Sequence, residues 1–225
     1  MTERQAAKQF AAVAQANKTC EDAWARLAAR HDEIGALLAA LPDSYVFRVT
    51  PYNETEPVSV TAKEFKVCYF GLQWSLADEV AHNGGVDQTA SELDDDGNWI
   101  GGTTKILPLG LIGADGASGY DATPASRALL CLHETAHATG AGRAMTIACW
   151  DQHLKNEGDA PYDQTSWAWY KNERLANDIA KAVAGALKDP HFGHVVLAPN
   201  PIGAYSDDTL LVAVDMAEAG KSGST

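Results

Sequence analysis

Residues 127–143 read RALLCLHETAHATGAGR, and this stretch decides the fold. His133 and His137 stand four apart, with Glu134 beside the first and Thr139 and Gly140 just beyond. Thr123 at a capping position, Pro124 at the first helical position and Gly140 as a stop predict a helix around the motif. Residues four apart on a helix lie about 6 Å from one another on one face, which lets two imidazoles bind one metal ion. Glu134 then stands beside the ion without being a ligand, placed to take a proton from water whose pKa the ion has lowered. The plainer alternative is a helix whose histidines are exposed or hydrogen-bonded in a core. The capped start, the apolar Leu129, Leu130 and Leu132, and the glycine stop favour the metal reading.

A catalytic zinc site needs a third protein ligand and one open position. The metzincin pattern would place a histidine at the third residue past the glycine, but position 143 is arginine, so that subclass is excluded. Glu173, in YKNERLANDIA, is the best-placed alternative: mid-helix, 36 residues past His137, with aromatic residues before it. Asp178 is the second candidate. It is rotated from Glu173 by roughly 140°, so the two carboxylates do not share a face, whereas Asn177 stands below Glu173 at i+4. His153, His191 and His194 are weaker candidates, the last two in a loop segment, HFGH, that could bring a hydrogen-bond donor to the site. Tyr162 and Tyr205 could stabilise an oxyanion, but nothing separates them from packing tyrosines.

The chain of 225 residues, 46% hydrophobic, is long enough for one substantial domain, or one domain with an appendage. Thirty acidic residues against 17 basic ones give a formal net charge of −13. Direct nucleic-acid binding through phosphate contacts is therefore not expected, and the surface should repel DNA or imitate it. No apolar run reaches the roughly 18 residues of a membrane span, and MTERQAAKQF lacks the plan of a secretory signal. A cytoplasmic protein without membrane contact is expected, with export as an effector left open. Cys20, Cys68, Cys131 and Cys149 lie too far apart for a disulfide scaffold, which predicts reduced, buried thiols.

Three segments are expected: a helical one (1–42), a main domain (43–217) and a polar tail (218–225). In the first, Phe10, Val13, Asn17, Cys20, Trp24, Leu27, His31, Ile34, Leu38 and Leu41 alternate steps of three and four, a heptad-like seam. This predicts one helix from about Glu3 to Leu41, although Thr19 could cap a second helix and make a hairpin. The seam needs a partner: the rest of the chain, a second copy in a homodimer, or another protein. SYVFRVT and PVSV read as strands. Thr61 and Glu64 form a capping box that opens a helix from Ala62 to about His82. ELDDDGN reads as a solvated turn, because its carboxylates are consecutive and do not alternate as calcium ligands would. WIGGTTKILPLGLIG reads as one or two strands, and a loop-rich stretch should run from Gly140 to about Gln164. TSWAWYKNERLANDIAKAVAGALKD reads as a helix, and HVVLAP and TLLVAVDM as strands.

TTKILP, RALLCLHETAHATG and NERLANDIA together resemble the zincin-like metallopeptidase domain of ArdC-type antirestriction and phage polyvalent proteins, over about residues 100 to 187. Bacterial effector metalloproteases and ImmA-type regulatory proteases share the same logic of HExxH and a downstream glutamate. The resemblance implies an α+β fold: a small twisted sheet with a backing helix, the HExxH helix and a glutamate-bearing helix, here with a long N-terminal helix or hairpin. It implies a gluzincin-like zinc metalloendopeptidase acting on a protein or peptide, with Zn²⁺ held by His133, His137 and the Glu173 helix, and Glu134 as base. Ala138 replaces the family's usual tryptophan, Arg174 stands where a second glutamate is expected, and the family's single-stranded-DNA-binding domain is not recognisable. DNA binding is therefore not carried over. An extended substrate is expected along an edge strand near Trp99 to Leu107. The rival expectation is a non-catalytic, acidic zincin-fold protein of antirestriction or DNA-mimic type.

Overall fold

The unbroken three-and-four spacing forms one helix, α1 (Glu3–Ala40), with no break at Thr19. The computed structural model describes residues 3–51, 54–77, 87–112, 120–157, 167–189, 191–199 and 209–215. Within α1, Ala23, Leu27, Ile34 and Leu38 are buried in the main core and Cys20 and Trp24 pack against it, as does Leu41 just past its end. The rest of the chain is thus the partner of this half of the seam. The side chains of Phe10 and Val13 lie outside the described residues, as does the tail.

SYVFRVT and PVSV supply β1 (Val46–Val49) and β2 (Val58–Thr61), paired antiparallel with the buried Phe47 opposite the buried Val60. Thr61 then caps α2 (Ala62–Gly71), its Oγ1 accepting from the Glu64 N–H at 3.1 Å. This helix ends at Gly71, well short of His82. A Cβ at Gly71 would lie 2.5 Å from Cη2 of Trp99, so the chain passes beneath the indole only as glycine. Leu72–Leu76 leaves the helix as a strand, β3. The spacing of Leu72 and Leu76 suits a helix, yet Leu72, Trp74 and Leu76 also alternate as in a strand, and pairing decides between the two. Residues 78–82 of the expected helix lie outside the described residues.

β3 runs parallel to β5 (Trp99–Ile106), which is flanked on its other side by the antiparallel β4 (Asp87–Leu93), giving the order β3-β5-β4. β5 is therefore the central strand, and the expected docking of a peptide along it is overturned: both of its edges are taken. The solvated turn is as expected. It closes the β4–β5 hairpin, with Asp94 Oδ1 accepting from the Asp96 and Asn98 amides at 3.0 and 2.7 Å. β4 itself, DQTASEL, has too few apolar residues to announce a strand. PLGLI, included in the expected strands, instead forms the short helix α3 (Pro108–Ile112).

The motif helix α4 (Pro124–Ala138) begins as expected, with Thr123 Oγ1 accepting from the Ser126 N–H at 3.0 Å and proline in its first turn. It packs on α5 (Gly140–Glu157) and α6 (Trp167–Leu187), and Leu130, Leu132, Leu175, Ile179 and Val183 are fully or nearly fully buried there. β6 (Phe192–Pro199) and β7 (Thr209–Asp215) pair antiparallel, and β7 lies against α4. The architecture is thus mixed α+β, with a small sheet and several helices. Among the described residues no helix is long and apolar enough to cross a membrane. Cys68, Cys131 and Cys149 are buried free thiols and Cys20 is half-buried. Burial pushes the Cys68 thiol up to about 12.

Two arginines of α1 tie it to the helices that carry the motif. Arg26 grips Asp121, which also pairs with Arg127 of α4 at 3.0 Å. Arg30 is buried and pairs with the buried Asp189 just past α6, while its Nε–H donates to the Pro124 carbonyl at 3.1 Å. Removing one partner of a buried pair leaves an uncompensated charge, at about 3–5 kcal/mol. Asp189→Ala should therefore lower unfolding free energy in urea by about 3 kcal/mol, the low end because Arg30 keeps Glu33 at 2.7 Å. Asp22→Ala, which breaks an exposed pair with Lys18, should change it by under about 0.5 kcal/mol.

Candidate metal centre

The sequence HATGAGR builds a junction between two helices, where a helix stop followed by a loop was expected. Thr139 serves both. Its backbone is extended (φ −66°, ψ 159°), and its Oγ1 donates to the Ala136 carbonyl at 2.7 Å while accepting from the Gly142 N–H at 3.2 Å. α5 thus starts at Gly140, with no intervening loop. The Gly140 N–H donates to Glu64 Oε1 at 2.6 Å, which sets a carboxylate at the N-terminus of α5. Arg143 turns back to donate to the Ala138 carbonyl at the C-terminus of α4. A Cβ on Gly142 would collide with the Ala136 carbonyl oxygen and the His137 backbone, so only glycine lets α5 fold back this tightly.

This junction fixes the last turn of α4, and α6 crosses beneath it. His133 Nε2 lies 3.1 Å from His137 Nε2 and 3.0 Å from Glu173 Oε2, and His137 Nε2 lies 3.5 Å from Glu173 Oε1. The two imidazoles meet edge to face, their rings inclined by 83°. Ligands held 2.0–2.1 Å from a tetrahedral metal stand roughly 3.3 Å apart, the edge of the tetrahedron. The three closest approaches are near that edge, His133 meeting Oε2 of Glu173 and His137 its Oε1, so the three residues stand within reach of one ion. The three residues could hold a metal ion. Two imidazoles and a carboxylate suit zinc and other first-row divalent ions alike.

The surroundings tune these donors. His133 Nδ1 lies 2.9 Å from Asn177 Oδ1, one turn along α6 from Glu173. With a metal ion on Nε2, Nδ1 would carry the ring's proton and give it to the Asn177 oxygen, which holds the imidazole in place. Burial by itself would raise the Glu173 carboxyl, but His137 and then His133 outweigh it and hold that carboxyl well below the usual carboxylate range. An ionised carboxylate is the form that binds a cation. His133, His137 and Glu173 keep 12%, 13% and 22% of their side chains exposed, enough for a small species to reach them.

Glu134 is not among the three donors. Its side chain is only 2% exposed; Oε1 lies 3.7 Å from His133 Nε2, and Oε2 accepts from Thr89 Oγ1 of β4 at 2.7 Å. Asp178, the second candidate ligand, points elsewhere and pairs with Arg174 at 3.6 Å, as its rotation from Glu173 requires; burial raises its carboxyl against the pull of Arg174. Arg143 is committed to capping α4. The His191 N–H donates to Asp189 at 2.7 Å, and its ring does not join the cluster. The side chains of His153 and His194, and all of Tyr162 and Tyr205, lie outside the described residues. Sequence reasoning missed Thr89 and Thr104. Asn177 was visible at i+4 from Glu173, but its bond to His133 was not.

The fold and the site define an α+β chain with a three-donor candidate metal centre between two helices. No protein-family model, curated protein or solved structure matches the chain.

Proposed function

We propose that this chain is a zinc-dependent peptidase with a zincin-like core, hydrolysing peptide bonds at a centre held by His133, His137 and Glu173, with Glu134 as the base. The observation that carries the reading is the convergence of two imidazoles and a carboxylate from two helices within reach of one ion, with a fourth residue's carboxylate beside them that is not among the three donors. The element order supports it: backing helix α2, a small sheet, motif helix α4, then α6 with the glutamate. Zinc, when bound, lowers the pKa of water and polarises a carbonyl. The chain's own groups do the rest. Glu134 Oε1 faces the ligand nitrogens and accepts the proton of the attacking water, then returns it to the departing amine. Asn177 fixes His133 in the tautomer that offers Nε2. The outer edge of β4, the strand that touches Glu134, pairs with no other strand among the described residues and can add an extended peptide through main-chain hydrogen bonds.

Elemental analysis of purified protein should find about one zinc per chain, by this reading of the three donors. A quenched random-sequence peptide library should be cleaved in a chelator-sensitive manner. His137→Ala should lose both the metal and the cleavage, and a metal content unchanged by that substitution would sink the proposal.

A further inference from the structure

The two oxygens of Glu134 have different surroundings. Oε1 is on the side of the ligand nitrogens, whereas Oε2 receives a 2.7 Å hydrogen bond from Thr89. Thr89 Oγ1 in turn lies 2.7 Å from Thr104 Oγ1, its cross-strand partner in the β4–β5 register. A hydroxyl has one proton to give, and an ionised carboxylate has none. The Thr89 proton therefore goes to Glu134, and the proton of the fully buried Thr104 goes to Thr89. The donors run in one direction, from Thr104 through Thr89 to Glu134, and each bond polarises the next.

We propose that Thr89, backed by Thr104, is a positioning residue for Glu134: by occupying Oε2 it holds Oε1 toward the centre formed by His133, His137 and Glu173. The hydrogen bonds of Thr89 run to Thr104 and to Glu134, so it acts through the carboxylate. The inference rests on Glu134 being the base of a peptidase. Within that reading it assigns the sheet a task, because the strand pair β4–β5 sets the direction in which the base accepts its proton. Valine at position 89 keeps the shape and removes the donor. The buried carboxylate then has no fixed partner for Oε2 and turns to find one, carrying Oε1 off its line.

The test compares wild-type protein, Thr89→Val and Thr89→Ser, each loaded with zinc, by crystal structure and by steady-state cleavage of a quenched random-sequence peptide library. Thr89→Val should keep its zinc, rotate the Glu134 carboxylate away from the wild-type orientation, and lower kcat roughly 10- to 100-fold at an unchanged KM, the range expected for one hydrogen bond to a charged group. Thr89→Ser should restore the orientation and recover most of the loss. A Glu134 carboxylate that stays in place in Thr89→Val, or a kcat that does not fall in a cleaving enzyme, overturns the inference. If the wild-type chain cleaves nothing, the crystal structures decide alone: rotation in valine and return in serine sustain the positioning role while the peptidase reading fails. Should Thr89→Val not fold, Thr104→Val, one bond further back, must shift the carboxylate in the same direction, and an unmoved carboxylate there overturns the inference equally.

Discussion

Glu134→Gln is expected to purify with the zinc content of the wild type and to hydrolyse peptides about 100- to 10,000-fold more slowly, the span contributed by a positioned general base. The geometry separates the two effects. The residues placed to hold a metal are His133, His137 and Glu173, so an amide at position 134 removes none of them. Glutamine keeps the length of the side chain, and its carbonyl oxygen can still accept from Thr89 at the place where Oε2 now sits. That leaves the NH₂ group where Oε1 faces His133 Nε2, and an amide nitrogen there donates where the proposed reaction needs an acceptor. The measurement is elemental analysis with initial rates on the quenched peptide library. Zinc lost together with activity would make Glu134 a ligand. Full biological function with zinc retained would favour the rival reading, an acidic protein of net charge −13 that acts by binding a basic partner.

What the sequence made legible was whatever depends on neighbours along the chain. Thr123 and Pro124 announce the start of α4 because capping is a three-residue event, and Glu173 stood out because it lies mid-helix after an aromatic run. The end of α4 was less legible. Glycine after a polar turn reads as a stop, and here it opens the next helix, because Glu64 from 76 residues earlier accepts its N–H and Arg143 satisfies the carbonyl left behind. Such capping partners are invisible to local spacing. α5 was hidden further by composition: Ile147, Trp150 and Leu154 lie largely exposed, so no clean apolar stripe faces the core. The three-stranded sheet was the hardest to read. β4 is a polar edge strand, and its identity rests on pairing with β5, a long-range fact. Missing β4 led to two errors at once: β5 was taken for an edge, and Thr89 was not seen to reach Glu134 at all.

The proposed third ligand offers the second large effect, through folding stability. Zinc that binds only the folded chain stabilises it by mass action, and at 1,000 times the dissociation constant the gain is about 4 kcal/mol. Replacing a residue that merely orients a ligand costs roughly 10- to 100-fold in affinity. Asn177→Ala, which frees His133 Nδ1, should therefore cut that gain to between about 1.4 and 2.7 kcal/mol at the same zinc concentration. Glu173→Ala removes a donor outright, and its loss must exceed the upper end of that range, leaving under about 1.4 kcal/mol. Asp178→Ala changes an ion pair with Arg174 that is present with or without metal. Its modest cost appears equally in both states, so the gain from zinc stays at the wild-type value. The order Asp178, Asn177, Glu173 follows from which side chains meet the histidines, although 177 and 178 adjoin in sequence. Urea denaturation in the presence of chelator and of excess zinc measures each gain as a difference, which cancels whatever the substitution does to the apo protein. Equal responses to zinc in the Glu173 and Asp178 variants would remove Glu173 from the centre, and with it the convergence on which the peptidase reading stands.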